Sequence, residues 1–67
     1  MISVSINGER QQLSAGQSIA AALASLGYEA AKVAVAINGE FVPRNDYAAR
    51  EIRANDELDI VAPVQGG

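Results

Sequence analysis

The dipeptide Asn-Gly occurs twice in this chain of 67 residues, at Asn7-Gly8 and at Asn38-Gly39, and each time it follows a run of alternating apolar residues. That placement restricts the fold more than any other feature. Asn-Gly tolerates the positive φ angles of a two-residue hairpin turn, so an alternating run ahead of it reads as a strand that folds back on itself. Ahead of the first pair, Ile2, Val4 and Ile6 share one face, and Ser3 and Ser5 the other. Glu9 to Leu13 then return as a polar strand, with Leu13 as its core contact. Ahead of the second pair, Val33, Val35 and Ile37 alternate with Ala34 and Ala36, and Glu40 to Val42 return. Pro43 cannot donate to a ladder, so the pairing is expected to stop there.

Between the two hairpins the period changes from two to that of a helix. Ser18 can accept a hydrogen bond from an orphan N–H of a first helical turn. Ile19, Leu23 and Leu26 then form one apolar stripe, with helix-favouring alanines between them. Gly27 stands where a left-handed C-terminal cap is wanted. After Pro43, Asn45-Asp46 is expected to cap a single helical turn containing Tyr47, and Ile52 to add a brief edge pairing. Asn55-Asp56 marks a turn, after which Leu58, Ile60 and Ala62 alternate with Asp59 and Val61 in a last strand. The expected fold class is α+β, two layers, with one main helix packed across a mixed sheet of four to five strands. One domain is expected over residues 1–62. Pro63 ends the last strand, leaving residues 63–67 as an expected flexible tail that closes in Gly66-Gly67.

The composition narrows the chemistry. With no Cys and no His, neither a disulfide, a thiolate metal site nor a Cys–His or Ser–His pair can be built. A domain this small buries only about 60% of its unfolded surface, so its stability has to come from the 49% of residues that are hydrophobic. The formal charge is -3 and the five basic residues are scattered, which argues against a nucleic-acid partner. The N-terminal stretch MISVSINGER does not read as a signal peptide, and no segment approaches the roughly 20 apolar residues of a membrane span. Cytoplasm is the expected location. The serines fit a solvated strand face, turns and a helix cap, and Asp56, Glu57 and Asp59 fit a solvated turn and strand face. No metal site and no catalytic side chain is expected, so this chain is not read as an enzyme.

The tail is the feature this accounting leaves over. Five residues reach roughly 16–18 Å when extended. The last two carry no side chains, so the terminus can thread a narrow channel and bring a carboxylate against a reactive phosphorus atom.

The stretch Val35-Ala36-Ile37-Asn38-Gly39-Glu40-Phe41-Val42-Pro43-Arg44 resembles the centre of the ThiS family, the sulfur carriers for the thiazole half of thiamine. Ala15-Gly16-Gln17-Ser18 before a Leu-bearing helix, and the ending Ile60-Val61-Ala62-Pro63-Val64-Gln65-Gly66-Gly67, are similar to the same family. The resemblance spans essentially the whole chain and implies a ubiquitin-like β-grasp topology, with the last strand in the middle of the sheet. It further implies a cycle on Gly67. A ThiF-type adenylating enzyme, using ATP and magnesium, would convert the Gly67 carboxylate into an acyl-adenylate. Sulfur from a cysteine desulfurase route would then yield a thiocarboxylate, and thiazole synthase (ThiG) would take up that sulfur. Gly66 and Gln65 would be read along the partner channel, and the carrier itself would bind no cofactor. Docking is expected on the outward sheet face, where Val61 and Phe41 stand out as apolar residues, with Arg44 as a solvated loop residue.

Other readings share parts of this pattern. The small subunit of molybdopterin synthase (MoaD type) resembles the chain in fold, in the terminal Gly-Gly and in sulfur chemistry, although the Asn38-to-Arg44 stretch reads more like ThiS. A protein-conjugation tag would use the same activated glycine. A plain binding module would carry the Gly-Gly pair incidentally.

Overall fold

Both Asn-Gly pairs turn the chain as their chemistry requires. In the computed structural model, which describes residues 1–62, φ is 51° and 85° at Asn7 and Gly8, and 52° and 83° at Asn38 and Gly39. Two consecutive left-handed residues match the right-handed twist of the flanking strands. The first turn joins β1 (Ile2–Ile6) to β2 (Glu9–Leu13), and the second joins β3 (Ala34–Ile37) to β4 (Glu40–Val42). The helix α1 (Ile19–Leu26) lies between the hairpins, and β5 (Glu57–Val61) closes the described chain.

The five strands form one mixed sheet in the order β2-β1-β5-β3-β4. The last strand is therefore central, parallel to β1 and antiparallel to β3, as the β-grasp topology requires. One face of the sheet is buried. Val4, Ile6, Val35, Ile37, Val42, Leu58 and Ile60 point from it toward Ile19, Ala22 and Leu23 of α1, and the edge is closed by Leu13, Val33, Tyr47 and Ile52. Among the described residues no charged side chain is buried.

The start of α1 satisfies each of its exposed donors. The N–H of Ala21 donates to Ser18 Oγ at 3.1 Å and that of Ala22 to the Ser18 carbonyl at 3.0 Å. The Ile19 and Ala20 N–H groups donate to the carbonyls of Arg50 and Tyr47, both at 2.9 Å. Four orphan N–H groups at a helix start need such partners, and here the loop after β4 supplies two of them. At the other end Gly27, with φ 89°, donates to Ala24 and lets Tyr28 donate to Leu23, the left-handed cap expected from its position.

Four local expectations are corrected. Asn45-Asp46 does not cap the turn: a 3-10 turn occupies Arg44–Asp46 with Pro43 before it and no side-chain cap, and Tyr47 follows as its end. Pro43 has its φ preset at -62°, which starts the turn earlier than the side-chain chemistry of Asn45 suggests. Asp46 contributes through its carbonyl, which accepts from Ala49 and Arg50. The edge pairing assigned to Ile52 is an isolated bridge between Glu51 and Ser18, while the Ile52 side chain is core and its N–H donates to Gln17. Val33 precedes β3 rather than opening it, after a 3-10 turn at Ala30–Lys32. β5 ends at Val61, so Ala62 is exposed and outside the ladder.

Candidate functional site

The alternation of β5 divides its side chains between two surfaces. Leu58 and Ile60 point into the core, whereas Glu57, Asp59 and Val61 stand on the outward face. β3 contributes Ala34 and Ala36 to that face, with Ala34 opposite Val61 and Ala36 opposite both Asp59 and Phe41. Phe41 is 69% exposed and Val61 64%. The two side chains thus flank a floor of two alanines across two strand spacings, about 9–10 Å. Exposed large apolar groups set around small ones mark a surface that another protein can cover. Asp59 and Glu57 border it with negative charge.

The other half of the same face is polar. Ser3, Ser5, Arg10 and Gln12 occupy it, and Arg10 donates to Ser3 Oγ at 3.1 Å. The structure therefore brings Val61 and Phe41 together on one side of the outward face, as the sequence suggests. Arg44 is exposed, and its Nε donates to the carbonyl of Ala30 at 3.3 Å. Gln65, Gly66 and Gly67, with the whole tail at 63–67, lie outside the described residues.

The end of β5 is held on both of its edges. Toward β3, pairing runs as far as Val61 opposite Ala34. Toward β1, Ser5 and Asn7 donate their N–H groups to the carbonyls of Asp56 and Leu58, both at 2.9 Å. Asn7 then turns the chain away, but its side chain stays: Oδ1 accepts the Ile60 N–H at 2.7 Å, and Nδ2 donates to the Ile60 carbonyl at 3.2 Å. Asn38 makes a similar clamp at the start of β5, where its Oδ1 accepts the Glu57 N–H at 3.0 Å and its Nδ2 donates to Asp56 Oδ1 at 3.1 Å. Sequence reasoning treated both asparagines as turn residues and missed these bridges. The available signal was that Gly or Asp would also make the turn, whereas only a carboxamide carries a donor and an acceptor together.

The chemistry available to these side chains is limited. Among the described residues no group of three or more acidic residues is placed to hold a metal ion. Asp56 is engaged in its turn, where its Oδ2 accepts the Arg53 N–H at 2.9 Å. Ser3 and Ser18 accept hydrogen bonds from Arg10 and from Ala21. No helix among the described residues is long and apolar enough to cross a membrane. The described residues do present an exposed apolar patch, with Phe41 and Val61 set around Ala34 and Ala36.

Residues 4–67 match the family profile described as the ThiS family. A protein named thiazole synthase from Paramagnetospirillum magneticum is 44% identical over 62 residues, which cover 92% of this chain. The chain spans only 19% of the length of that relative. Among solved structures, the crystal structure of a thiamine biosynthesis protein (ThiS) from Geobacter metallireducens superposes with a TM-score of 0.84 at 22% identity, covering 98% of this chain and 100% of that one. The solution structure of a thiamine biosynthesis protein from the same organism gives a TM-score of 0.81 at 22% identity, covering 98% and 88%. At that identity the two structures establish the shared fold.

Proposed function

The chain belongs to the ThiS family, and from that membership we propose that it carries sulfur for the thiazole moiety of thiamine, as a thiocarboxylate on Gly67. The observation that carries the reading is that the family match runs through Gly66-Gly67, the feature no property of the domain itself explains. A carboxylate is a poor electrophile until its oxygen is made part of a good leaving group. In the proposed cycle a Gly67 carboxylate oxygen attacks the α-phosphate of ATP in a ThiF-type enzyme, and pyrophosphate leaves. Magnesium serves that enzyme, and the carrier binds no cofactor. The terminal sulfur of a persulfide, formed by a cysteine desulfurase, attacks the acyl carbon and expels AMP. A second thiol then attacks the resulting acyl disulfide, leaving the sulfur on Gly67 and forming a disulfide with the donor. Gly66 keeps the approach narrow, and Gln65 gives the channel its first side chain to read.

Thiazole synthase is the proposed acceptor. A relative that bears that name holds a stretch like this chain within a much longer polypeptide. A stretch like this chain inside a protein of that name supports pairing it with a thiazole synthase activity. That observation favours the thiazole role over the molybdopterin one.

The test is direct. The full untagged chain is incubated with a ThiF-type enzyme, magnesium-ATP and a persulfide donor, and its intact mass and fragments are recorded. Exchange of one oxygen for sulfur, localised to Gly67, is the expected result. An unmodified Gly67, in a mixture that loads a known carrier, would sink the proposal. Higher-mass adducts on lysines would identify a conjugation tag instead.

Docking supplies a second expectation. Val61→Asp puts a charge on the apolar half of the outward face, beside Asp59, without touching the core. Affinity for the adenylating partner should fall at least about tenfold, as it does when a central apolar anchor is lost. The thermal midpoint should stay within a few degrees, because exposed substitutions cost within about 0.5 kcal/mol. Titration calorimetry and circular dichroism on one sample separate the two effects, and parental affinity with an intact folded signal would remove Val61 from the docking surface.

A further inference from the structure

In a parallel pair, successive rungs alternate between the two strands, and β1 follows that pattern with donors from Ser5 and Asn7 to β5. One more rung would require a main-chain carbonyl and, beyond it, a main-chain N–H opposite Ile60. The turn at Asn7-Gly8 removes both. The Asn7 carboxamide, with its acceptor 2.7 Å from the Ile60 nitrogen and its donor 3.2 Å from the Ile60 oxygen, replaces the missing peptide group. Resting on the carrier reading, we propose that Asn7 is a positioning residue for the reaction at Gly67. It holds Ile60 on the edge of β5 that β1 abandons, and so fixes the direction in which the chain leaves the sheet beyond Val61.

The placement gives this bridge a task that hairpin stability does not require. β3 holds the opposite edge of β5 as far as Val61. Without Asn7, the main chain at the end of β5 would be hydrogen-bonded on its β3 edge alone, with the Ile60 side chain still held in the core. The tail root at Ala62 would be less constrained, while Val61, paired with Ala34, stays on the docking face. A partner that grips the apolar half of the outward face would then receive the carboxylate in a wider range of positions. Reaction rates fall steeply with such misplacement, because the reacting atoms must meet within a narrow geometry.

Asn7→Gly deletes the carboxamide and keeps the left-handed backbone that the turn needs. Asn38→Gly is the control, since it removes a similar bridge at Asp56 and Glu57, the far end of β5. Both full-length variants are compared with the parent by thermal unfolding, amide hydrogen exchange and steady-state adenylation by a ThiF-type enzyme. N7G is expected to remain folded, with exchange at the Ile60 amide quickened about tenfold or more, as loss of its part-buried hydrogen-bond partner implies. Its kcat for adenylation should fall about tenfold while KM stays within about twofold, because the docking face is intact and only presentation is impaired. N38G should lose a similar amount of thermal stability and keep the parent kcat. N7D serves if N7G folds poorly: its carboxylate keeps the acceptor for the Ile60 N–H but has no donor, and should fall between parent and N7G. N7G with parental kcat, or N38G with an equal loss of kcat, would overturn the assignment alone. A parent chain that is not adenylated would overturn it together with the carrier reading.

Discussion

A chain shortened by Gly66 and Gly67 is expected to bind a ThiF-type enzyme within about tenfold of the full chain, a difference of about 1.4 kcal/mol, and yet to acquire no sulfur. The expectation separates the two tasks assigned to the molecule. Recognition is placed on Val61, Phe41 and the alanine floor between them, all of which the truncation leaves in place. Reaction is placed on the carboxylate that the truncation moves to Gln65. That carboxylate falls short of the activated phosphate by two residues, roughly 7 Å of extended chain, and carries a side chain into a channel suited to none. A gentler variant isolates the second effect. Gly66→Val keeps the length and the carboxylate, and should lower kcat on the order of a hundredfold, the usual result of displacing a reacting group by about 1 Å. Both variants can be followed by ATP–pyrophosphate exchange and by intact mass. Loading of the shortened chain at the parental rate would detach the function from the glycines altogether.

The frame of the molecule was legible because its strongest signals are local. Asn7-Gly8 and Asn38-Gly39 set two registers at once, and the alternation of Val35 and Ile37 or of Leu58 and Ile60 leaves one choice of buried face. Ser18 and Gly27 mark both ends of α1 by the chemistry of caps. Where the chain between Pro43 and Asp56 goes was less legible, because it is organised by contacts distant in sequence. The Tyr47 hydroxyl donates to Val33 at 3.0 Å, and the Tyr47 carbonyl accepts from Ala20; neither bond has a local pattern. The site divides in the same way. Alternation alone is enough to put Val61 and Phe41 outside, but the alanine floor between them depends on β5 lying beside β3. The Asn7 bridge to Ile60 joins residues 53 positions apart, so the sequence shows its two ends and nothing that connects them.

Leu58→Ala is expected to cost about 3–4 kcal/mol, within the range of about 2–5 kcal/mol found for emptying a buried leucine site. Leu58 is 1% exposed on the central strand. Its two neighbours across the ladders are Ile6 and Ile37, both buried on the same face. The cavity would open beneath α1 at the meeting of both hairpins, where β5 is paired on each side and cannot move in to fill it. Total stability for a chain of this length is roughly 3–10 kcal/mol at 0.05–0.15 kcal/mol per residue, and there is no disulfide to limit the loss. The thermal midpoint should drop by about 12–32 °C at the usual 4–8 °C per kcal/mol for a domain this small. Urea unfolding followed by circular dichroism measures the cost without relying on tryptophan, which the chain lacks. A loss below about 1 kcal/mol would mean that the layers repack around the gap, and that the core is looser than its burial implies. Because β5 also carries the root of the tail, sulfur loading of this variant should track its folded fraction. Stabilisation by a bound adenylating partner, which favours the folded chain by mass action, should then restore loading. The corresponding recovery is not expected for the chain without Gly66 and Gly67, where the domain is intact and the reacting group is gone.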